Sequence, residues 1–308
     1  MPSFFACVGH ASIDHHFEIE AFASQPTKTP AKSYSQIVGG MAANASIAMA
    51  KLGLPVRLIG RVGSDPAGAF IAQAVSDLGI DSHLEYVAQA QSSVSSVIVD
   101  AQGERQIFNH RGNALSQAHP LNTRQLQGAQ AVLTDPRWGE GAAAALIWAR
   151  EQGVFCMLDA DVAPQAVLQR LVPLAQWAVF SEPGLQAYAP QALTRQDALR
   201  LALDAGAASA MVTLGERGVM WMHAREHVLY NQASFAIKAV DTTGAGDVFH
   251  AALCFALSEL GADYSAAQER QAIRFACAAA ALKCTRGMGA LGAPTRTQVQ
   301  QFLETQAA

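Results

Sequence analysis

The 308-residue sequence has few charged residues: Asp, Glu, Lys and Arg make up only 15% of it, and the formal net charge is −4. A chain without a basic excess lacks the usual electrostatic signature of a protein that binds nucleic acid or an acidic membrane surface. The sequence also has no uninterrupted apolar stretch long enough to cross a bilayer, and its first residues, MPSFFACVGH, lack the pattern of a secretory signal. We therefore expect a small-molecule partner, with no nucleic acid and no membrane.

Cysteine chemistry is also sparse. The five cysteines are an odd number, form no C-x-x-C pair and all lie in apolar surroundings. They are therefore predicted to be reduced core residues of a cytoplasmic protein.

Two nucleotide-binding motifs are missing. The pattern G-x-x-x-x-G-K-[ST] occurs nowhere, which excludes a Walker A loop. No G-x-G-x-x-G follows the first predicted strand, where the turn reads GHASID, and this disfavours a Rossmann-type oxidoreductase.

Short apolar runs suited to buried strands alternate with longer segments of helical spacing. The runs are FFACV, VRLIGRV, AQAVLTD, VFCMLDAD, AVF and ASAMVTLG. The helical segments are AANASIAMAKLG, PAGAFIAQAVSDLG, GAAAALIWAREQG, PQAVLQRLVPLA, DALRLALDAGA and the runs that begin at Ala245 and Ala266. The alternation predicts one α/β domain over residues 1–308, with a mostly parallel sheet covered by helices on both faces and ligands beyond the carboxyl ends of its strands.

Segments 12–38 and 92–113 break this alternation. Both carry alternating polar and apolar residues, such as VSSVIVD and ERQIFNH, without helical spacing. They predict strands of a small antiparallel sheet inserted into the α/β body, with AQGE at 101–104 as a hairpin turn. A small sheet attached to a larger body is suited to act as a lid that excludes water from a cleft.

The stretch DTTGAGDVF, residues 241–249, joins a strand-like segment to a predicted helix that begins near Ala245. Gly244 and Gly246 leave backbone N–H groups uncovered at the positive end of the helix dipole, which favours a bound anion. Asp247 in the first turn would face the same cleft, where a carboxylate can take a proton from a hydroxyl. The pair suggests phosphoryl transfer to an alcohol; the alternative is a plain loop in which Asp247 only complements the dipole.

Two further glycine turns add to this signal. VGGMAANASIAMAKLG at 38–53 is a glycine turn leading into a helix, and the Asn44 amide offers a donor and an acceptor to hydroxyl groups. VTLGERGVMW at 212–221 fits a strand, a glycine turn and a second strand, which would line an adenine and ribose site or form a plain hairpin. The nucleotide-binding candidates in it are Thr213, Gly215 and Gly218.

DTTGAGD late in the chain and GG-x-x-x-N early in it, in this order and spacing, resemble the ribokinase-like (PfkB) family over essentially the whole chain. The resemblance implies a three-layer, doubly wound α/β/α body with a small β lid. It also implies transfer of the ATP γ-phosphate to a primary alcohol with Mg²⁺. A homodimer formed through the lid is a further implication.

The resemblance also implies roles for the motif residues. Asp247 matches the catalytic base. The anion hole matches Gly244, Ala245 and Gly246. The ligands of the sugar hydroxyls match Asp14, Gly40 and Asn44. A site for a monovalent cation such as K⁺ lies near positions that match Asp241 and Thr243. The family's N-x-x-E is replaced here by SEPG at 181–184, whose single carboxylate, Glu182, is the candidate for organising water around Mg²⁺.

Within the family, the likeness is to the sulfofructose kinases, in FACVGHASIDHH, DPRWGEGA, LDADVAPQ, FSEPGL and AALKCTRGMGALG. It implies that Lys28, Asn109 and Arg137 form a pocket for an anionic group at the sugar end opposite the phosphorylated hydroxyl. An Arg fork suits a tetrahedral anion and Lys adds a point charge. The expected reaction is conversion of 6-deoxy-6-sulfofructose to its 1-phosphate.

Other interpretations stay open at this stage. Arg137 also suits a structural salt bridge, Lys28 a solvated loop position and Asn109 a turn. The anion-binding trio would equally suit a sugar phosphate. The alternatives are therefore a kinase for another ketose, a sugar phosphate, a sugar acid or a nucleoside, and a catalytically silent homologue that senses sugar.

Overall fold

The computed structural model describes residues 3–261 and 263–306. Its first half contains β1 (Phe4–Gly9), β2 (Ser12–Glu18), β3 (Ser33–Gly39), α1 (Met41–Lys51), β4 (Val56–Gly63), α2 (Pro66–Asp77), β5 (Asp81–Val87), β6 (Ser93–Val99), β7 (Arg105–His110), β8 (Ala129–Thr134) and α3 (Gly139–Glu151). Its second half contains β9 (Phe155–Ala160), α4 (Gln165–Leu171), β10 (Trp177–Ser181), α5 (Glu182–Tyr188), α6 (Arg195–Asp204), β11 (Ser209–Thr213), β12 (Val219–His223), β13 (Tyr230–Gln232), α7 (Ala245–Ser258), α8 (Ala266–Cys284) and α9 (Arg296–Thr305).

Nine strands form the large sheet, in the order β13-β12-β11-β10-β9-β8-β1-β4-β5. All neighbours from β11 to β5 run parallel, whereas β12 and β13 add antiparallel to one edge. Because the order reverses at β1, the crevice beside this strand is the place where a doubly wound sheet binds its ligand. The predicted mostly parallel α/β body is confirmed.

Side chains of β1 alternate between two hydrophobic cores. Phe5 and Cys7 are buried against α1, α2, α7, α8 and α9 on one face of the sheet. Phe4, Ala6 and Val8 are buried against α3, α4, α5 and α6 on the other. A strand covered on both faces must be apolar at every position, which explains why FFACV shows no polar alternation.

The lid is a four-stranded sheet in the order β3-β2-β6-β7. The β2–β3 and β6–β7 pairs are antiparallel as predicted, but β2 and β6 are parallel. Both strands leave the same edge of the large sheet, β2 directly after β1 and β6 after β5, so they run in the same direction. The register aligns Asp14, Ser95 and Asn109 across three neighbouring strands, on one face of the lid.

Four elements were not predicted from the sequence: β5, β13, α5 and α9. β5 is an edge strand with mostly half-buried residues, so it lacks the apolar run of a central strand.

In the described part of the chain, no helix combines the length and apolarity needed to span a membrane.

Candidate active site

The turn before α7 leaves the helix N-terminus open. Gly244 is the residue before the first helical position and has a φ of 75°, in the left-handed region that favours glycine. No side chain caps the helix, and an added Cβ on Gly246 would meet no atom within 4 Å. The Ala245 N–H donates to Thr242 O at 3.2 Å, so the N–H groups of Gly244 and Gly246 are the ones available to the predicted anion hole.

Asp247 lies in the first turn of α7, and its Oδ2 accepts a hydrogen bond from Asn44 Nδ2 of α1 at 2.7 Å. The two glycine-turn motifs therefore meet, as the prediction of a shared site requires. Burial and the nearby Asp159 carboxylate raise the pKa of Asp247 to about 8, although the Asn44 hydrogen bond opposes the shift. A carboxylate with a pKa near neutrality is well matched to general-base work.

His250 and Asp159 lie beneath this carboxylate, and both are buried. His250 Nδ1 lies 2.7 Å from Gly246 O and 3.4 Å from Asp159 Oδ2, and its Nε2 lies 3.2 Å from Val179 O. Burial raises the pKa of Asp159 well above its usual range, and the carboxylates of Asp161 and Asp135 add to the effect. His250 therefore fixes the first turn of α7 to the sheet and to Asp159.

The GG turn brings backbone close to the lid. Gly40 has a φ of 94°, and a Cβ there would lie 2.7 Å from His10 O. A Cβ on Gly39 would lie 2.1 Å from Asp14 Oδ2, so this glycine makes room for the Asp14 carboxylate. The pKa of Asp14 is raised by burial, although a hydrogen bond with Ser95 opposes this shift. The predicted sugar ligand Asp14 therefore lies against the GG turn that contains Gly40 and leads into α1, the helix that carries Asn44.

Arg137 follows β8, at the carboxyl edge of the sheet. Its backbone N–H donates to Asp135 Oδ1 at 2.9 Å, and Nη2 contacts Asp161 Oδ2 at 3.4 Å. Its Nη1 is buried and has no hydrogen-bond partner among the described residues. A buried donor without an acceptor is costly, so this nitrogen is a candidate contact for a ligand.

Three residues near Arg137 were missed by sequence reasoning: His10, Arg61 and Arg111. Burial and the charges of Arg137, Arg111 and Arg61 lower the pKa of His10 to about 4. The Nε2 of His10 is buried and has no hydrogen-bond partner among the described residues. The pKa of Arg111 is lowered mainly by the charge of Arg137. Arg61 donates to Arg137 O at 3.3 Å and stacks over Trp138. The sequence signal that could have found two of them is position: Arg61 lies near the carboxyl end of β4, and Arg111 directly follows β7.

The other two members of the predicted anion pocket differ in position. Asn109 lies on the same lid face as Asp14, and its Nδ2 donates to Ser95 Oγ at 2.9 Å. Lys28 lies exposed in the segment between β2 and β3 and makes no hydrogen bond or ion pair to any described residue. The fold therefore brings Asp14 and Asn109 together, but Lys28 has no contact with either.

The nucleotide candidates lie at the end of β11. Thr213 is the last residue of this strand, and its Oγ1 donates to Phe180 O at 3.3 Å. Gly215 and Gly218 have φ values of 60° and 87°, and the turn closes through Leu214 N–H donating to Gly218 O at 2.8 Å. The predicted strand, glycine turn and strand are confirmed, and the turn shares the carboxyl edge with Asp247.

Asp241 accepts hydrogen bonds on both carboxylate oxygens. Oδ1 receives Thr243 N–H at 2.9 Å and lies 3.2 Å from Arg105 Nη2 of the lid; Oδ2 receives Gly289 N–H at 3.1 Å and Lys283 Nζ at 3.0 Å. Burial alone would raise the pKa of Asp241, but the Thr243 and Lys283 contacts lower it to about 2. These donors use the oxygens that K⁺ would need, so the expected cation site does not fit its surroundings.

Glu182 begins α5, and its two carboxylate oxygens are bound by arginines. Oε1 accepts from Arg195, and Oε2 from Arg217 at 2.7 Å. The hydrogen bond from Arg195, with the charges of Arg195 and Arg217, lowers the pKa of Glu182, although burial opposes this shift. The expected Mg²⁺ role is therefore unsupported, because the carboxylate belongs to an ion-pair network.

Comparisons with known proteins agree with this geometry. A family model described as pfkB family carbohydrate kinase matches residues 3–296. The ribokinase of Bacillus subtilis is 30% identical, with 88% of this chain and 89% of that protein covered. A structure from Agrobacterium tumefaciens, assigned as a ribokinase, has a TM-score of 0.91 and 33% identity over 100% of this chain and 99% of its own. Arabidopsis thaliana ribokinase complexed with ribose and ATP has a TM-score of 0.83 and 25% identity over 99% of both chains. The predicted family and fold are confirmed.

Proposed function

Because the chain belongs to the pfkB family of carbohydrate kinases and is an ATP-dependent sugar kinase, we propose that it acts on a ketose with an anionic group at one end. The reaction phosphorylates the primary hydroxyl at the other end. Our preferred substrate is 6-deoxy-6-sulfofructose, which would be converted to its 1-phosphate. The observation that carries this proposal is the buried Nη1 of Arg137, which bonds no described residue and lies in a cluster of arginines.

In the proposed reaction, Asp247 takes the proton of the primary hydroxyl. The hydroxyl oxygen then forms a bond to the γ-phosphorus of ATP while the bond to the β–γ bridging oxygen breaks, and ADP leaves. The backbone N–H groups of Gly244 and Gly246 would hold the transferring group. Asn44 fixes the Asp247 carboxylate at 2.7 Å and, with Asp14, would orient the sugar.

Mg²⁺ would enter the site with the phosphates of ATP. Among the described residues, no group of three or more His, Cys, Asp or Glu side chains is placed so that it could hold a metal ion. Asp159 offers the oxygen donors that Mg²⁺ prefers, and its carboxylate is near enough to Asp247 to raise the pKa of Asp247. It would suit a metal that neutralises charge on the phosphates, whereas the Asp161 oxygens already bind Ser181 and Arg137. Thr213, Gly215 and Gly218 would line the rest of the nucleotide site.

The anionic end of the sugar would bind near Arg137. The Arg137 guanidinium has one carboxylate contact, to Asp161 at 3.4 Å, and its buried Nη1 bonds no described residue. Asp161 alone therefore does not provide all the acceptors that this guanidinium needs. Arg111 and Arg61 add positive charge, and neutral His10 adds a buried polar atom. A sulfonate or phosphate presents several acceptor oxygens to such donors. Asn109 would contact the sugar from the lid, and Lys28 would contribute only if its loop approached the cleft.

The lid would also form the contact of a homodimer. Its outer face carries Phe17, Tyr34, Ile98 and Phe108, of which Tyr34 and Phe108 are 53% and 57% exposed. Large aromatic side chains exposed on a strand face are typical of an association surface. The predicted dimer therefore has a surface of suitable chemistry.

The substrate proposal can be tested by ADP release with sulfofructose, fructose 6-phosphate, fructose and 2-keto-3-deoxygluconate assayed side by side. We expect the highest kcat/KM with sulfofructose. Arg137→Met should lower kcat/KM for the anionic sugars by roughly 30- to 5,000-fold, the range for loss of one partner in a desolvated charge pair. Turnover of fructose should change less than about threefold.

Arg150→Met is the matched control, because Arg150 lies at the C-terminal end of α3, at the opposite edge of the sheet, and bonds Pro173 O. It should leave all four activities unchanged. An equal loss on neutral and anionic sugars with Arg137→Met would refute the anion pocket. No ADP release with any sugar would instead favour the catalytically silent sensor.

A further inference from the structure

Lys283 is a fully buried cation beside the phosphate-binding turn. It lies in the last turn of α8, and its side chain is 0% exposed. Its Nζ donates to the Asp241 carbonyl oxygen at 2.7 Å and to Asp241 Oδ2 at 3.0 Å. The end of α8 is fixed to the same segment by Val240 N–H and Asp241 N–H, which donate to Cys284 O at 2.7 and 3.1 Å. The ammonium is therefore built into the base of the turn.

The oxygens that Lys283 uses are the ones a small monovalent cation would use. K⁺ in proteins is held by carbonyl and carboxylate oxygens that replace its hydration shell. Here one carbonyl and one carboxylate oxygen of Asp241 bind Nζ, and the remaining carboxylate oxygen meets Thr243 N–H and Arg105. An ion at this point would have to displace a buried, bonded ammonium of equal charge, which leaves that ammonium unpaired at considerable cost.

We infer that Lys283 takes the place of the monovalent cation, so that phosphoryl transfer by this protein requires no K⁺. Lys283 acts through Asp241 as a positioning residue. It holds the carboxylate that receives the Thr243 N–H, and so shapes the turn that leads to Gly244. Its charge is also held at Asp241, three residues before Gly244 at the start of α7, where positive potential favours phosphate oxygens.

The test compares potassium chloride with tetramethylammonium chloride at equal ionic strength, because the bulky organic cation cannot enter a K⁺ site. For the wild-type protein, we expect the thermal unfolding midpoint to be the same in both salts within about 1 °C, and the rate of ADP release to agree within about twofold. The thermal measurement needs no substrate. It therefore decides the cation question even if none of the assayed sugars is phosphorylated.

Lys283→Ala supplies the converse measurement, since it empties the space that the ammonium fills. This variant should have a lower unfolding midpoint, and 100 mM K⁺ should raise it relative to tetramethylammonium and restore part of the activity. Lys51→Ala is the control, because Lys51 is exposed at the end of α1. It should show no difference between the two salts.

Two results would overturn the inference. One is a wild-type protein that K⁺ stabilises, or that loses most of its activity in tetramethylammonium and recovers it in K⁺. The other is a folded Lys283→Ala variant that gains nothing from K⁺ in either measurement. If Lys283→Ala does not fold, the wild-type comparison alone decides the question.

Discussion

Replacing Asp247 with asparagine tests the proposed base and the energetic cost of its burial in one variant. The folded-state pKa of Asp247 is about 8, compared with 3.8 for an unperturbed aspartate, because of burial and the charge of Asp159. Between these pKa values the folded state binds more protons than the unfolded chain. This carboxyl therefore makes the protein less stable as pH rises from about 4 to about 8, by at most about 1.4 kcal/mol per pH unit.

Asparagine cannot ionise, so Asp247→Asn should lose this pH dependence. The Asn44 amide can turn so that its oxygen accepts from the new amide, which preserves the contact between α1 and α7. Relative to the wild type, the variant should gain roughly 1.5 to 4 kcal/mol in unfolding free energy between pH 5 and pH 8; the upper figure assumes full burial of the charge. Turnover should fall roughly 10²- to 10⁴-fold, the usual contribution of a positioned general base.

Urea unfolding of both proteins at pH 5, 6, 7 and 8, followed by tryptophan fluorescence, measures the first effect. Asp77→Asn is the control, because Asp77 is exposed on α2 and should give a difference that does not depend on pH. The wild-type kcat/KM should rise with pH up to about 8, as the base loses its proton. A stability difference that stays flat with pH would refute the argument from burial, and near wild-type turnover would remove Asp247 from the mechanism.

Two further predictions concern the lid. Gly39→Ala should raise the KM for the sugar about tenfold or more with little change in kcat, because the new Cβ would lie 2.1 Å from the resting position of Asp14 Oδ2. Steady-state kinetics measures this, and an unchanged KM would argue against sugar binding by Asp14. Phe108→Asp should shift the protein from dimer to monomer in sedimentation velocity, because it places a charge on the exposed aromatic face of the lid. A monomeric wild-type protein would contradict the dimer proposal.

The body of the fold could be predicted from the sequence because its signals are local. Apolar runs and helical periodicity depend on neighbouring residues, and a glycine turn before a helix has few structural solutions. The proximity of Asn44 and Asp247 could be predicted because each lies in the first turn of a helix that starts at such a glycine turn. Both helices begin at the same edge of a parallel sheet, where ligands collect.

The remaining site features depend on tertiary partners that spacing does not reveal. Glu182 was a reasonable metal candidate until its neighbours were known, but Arg195 and Arg217 bind its oxygens from 13 and 35 residues away. Lys283 lies in an apolar helical run, where a lysine is usually at the surface, and only packing shows that it is buried. Arg61 similarly reaches the anion pocket through the order of the strands rather than through any motif.

The hydrogen bond between Asn44 and Asp247 joins residues that are 203 positions apart in the chain. At ordinary translation speeds of about 5–20 residues per second, the helix that carries the amide leaves the ribosome roughly 10–40 s before its carboxylate partner. During that interval the nascent chain gains β6 and β7 of the lid but still lacks α7 and α8, whose apolar residues complete the core around α1. The contact between Asn44 and Asp247, and with it the proposed site, can therefore form only after most of the chain has been made.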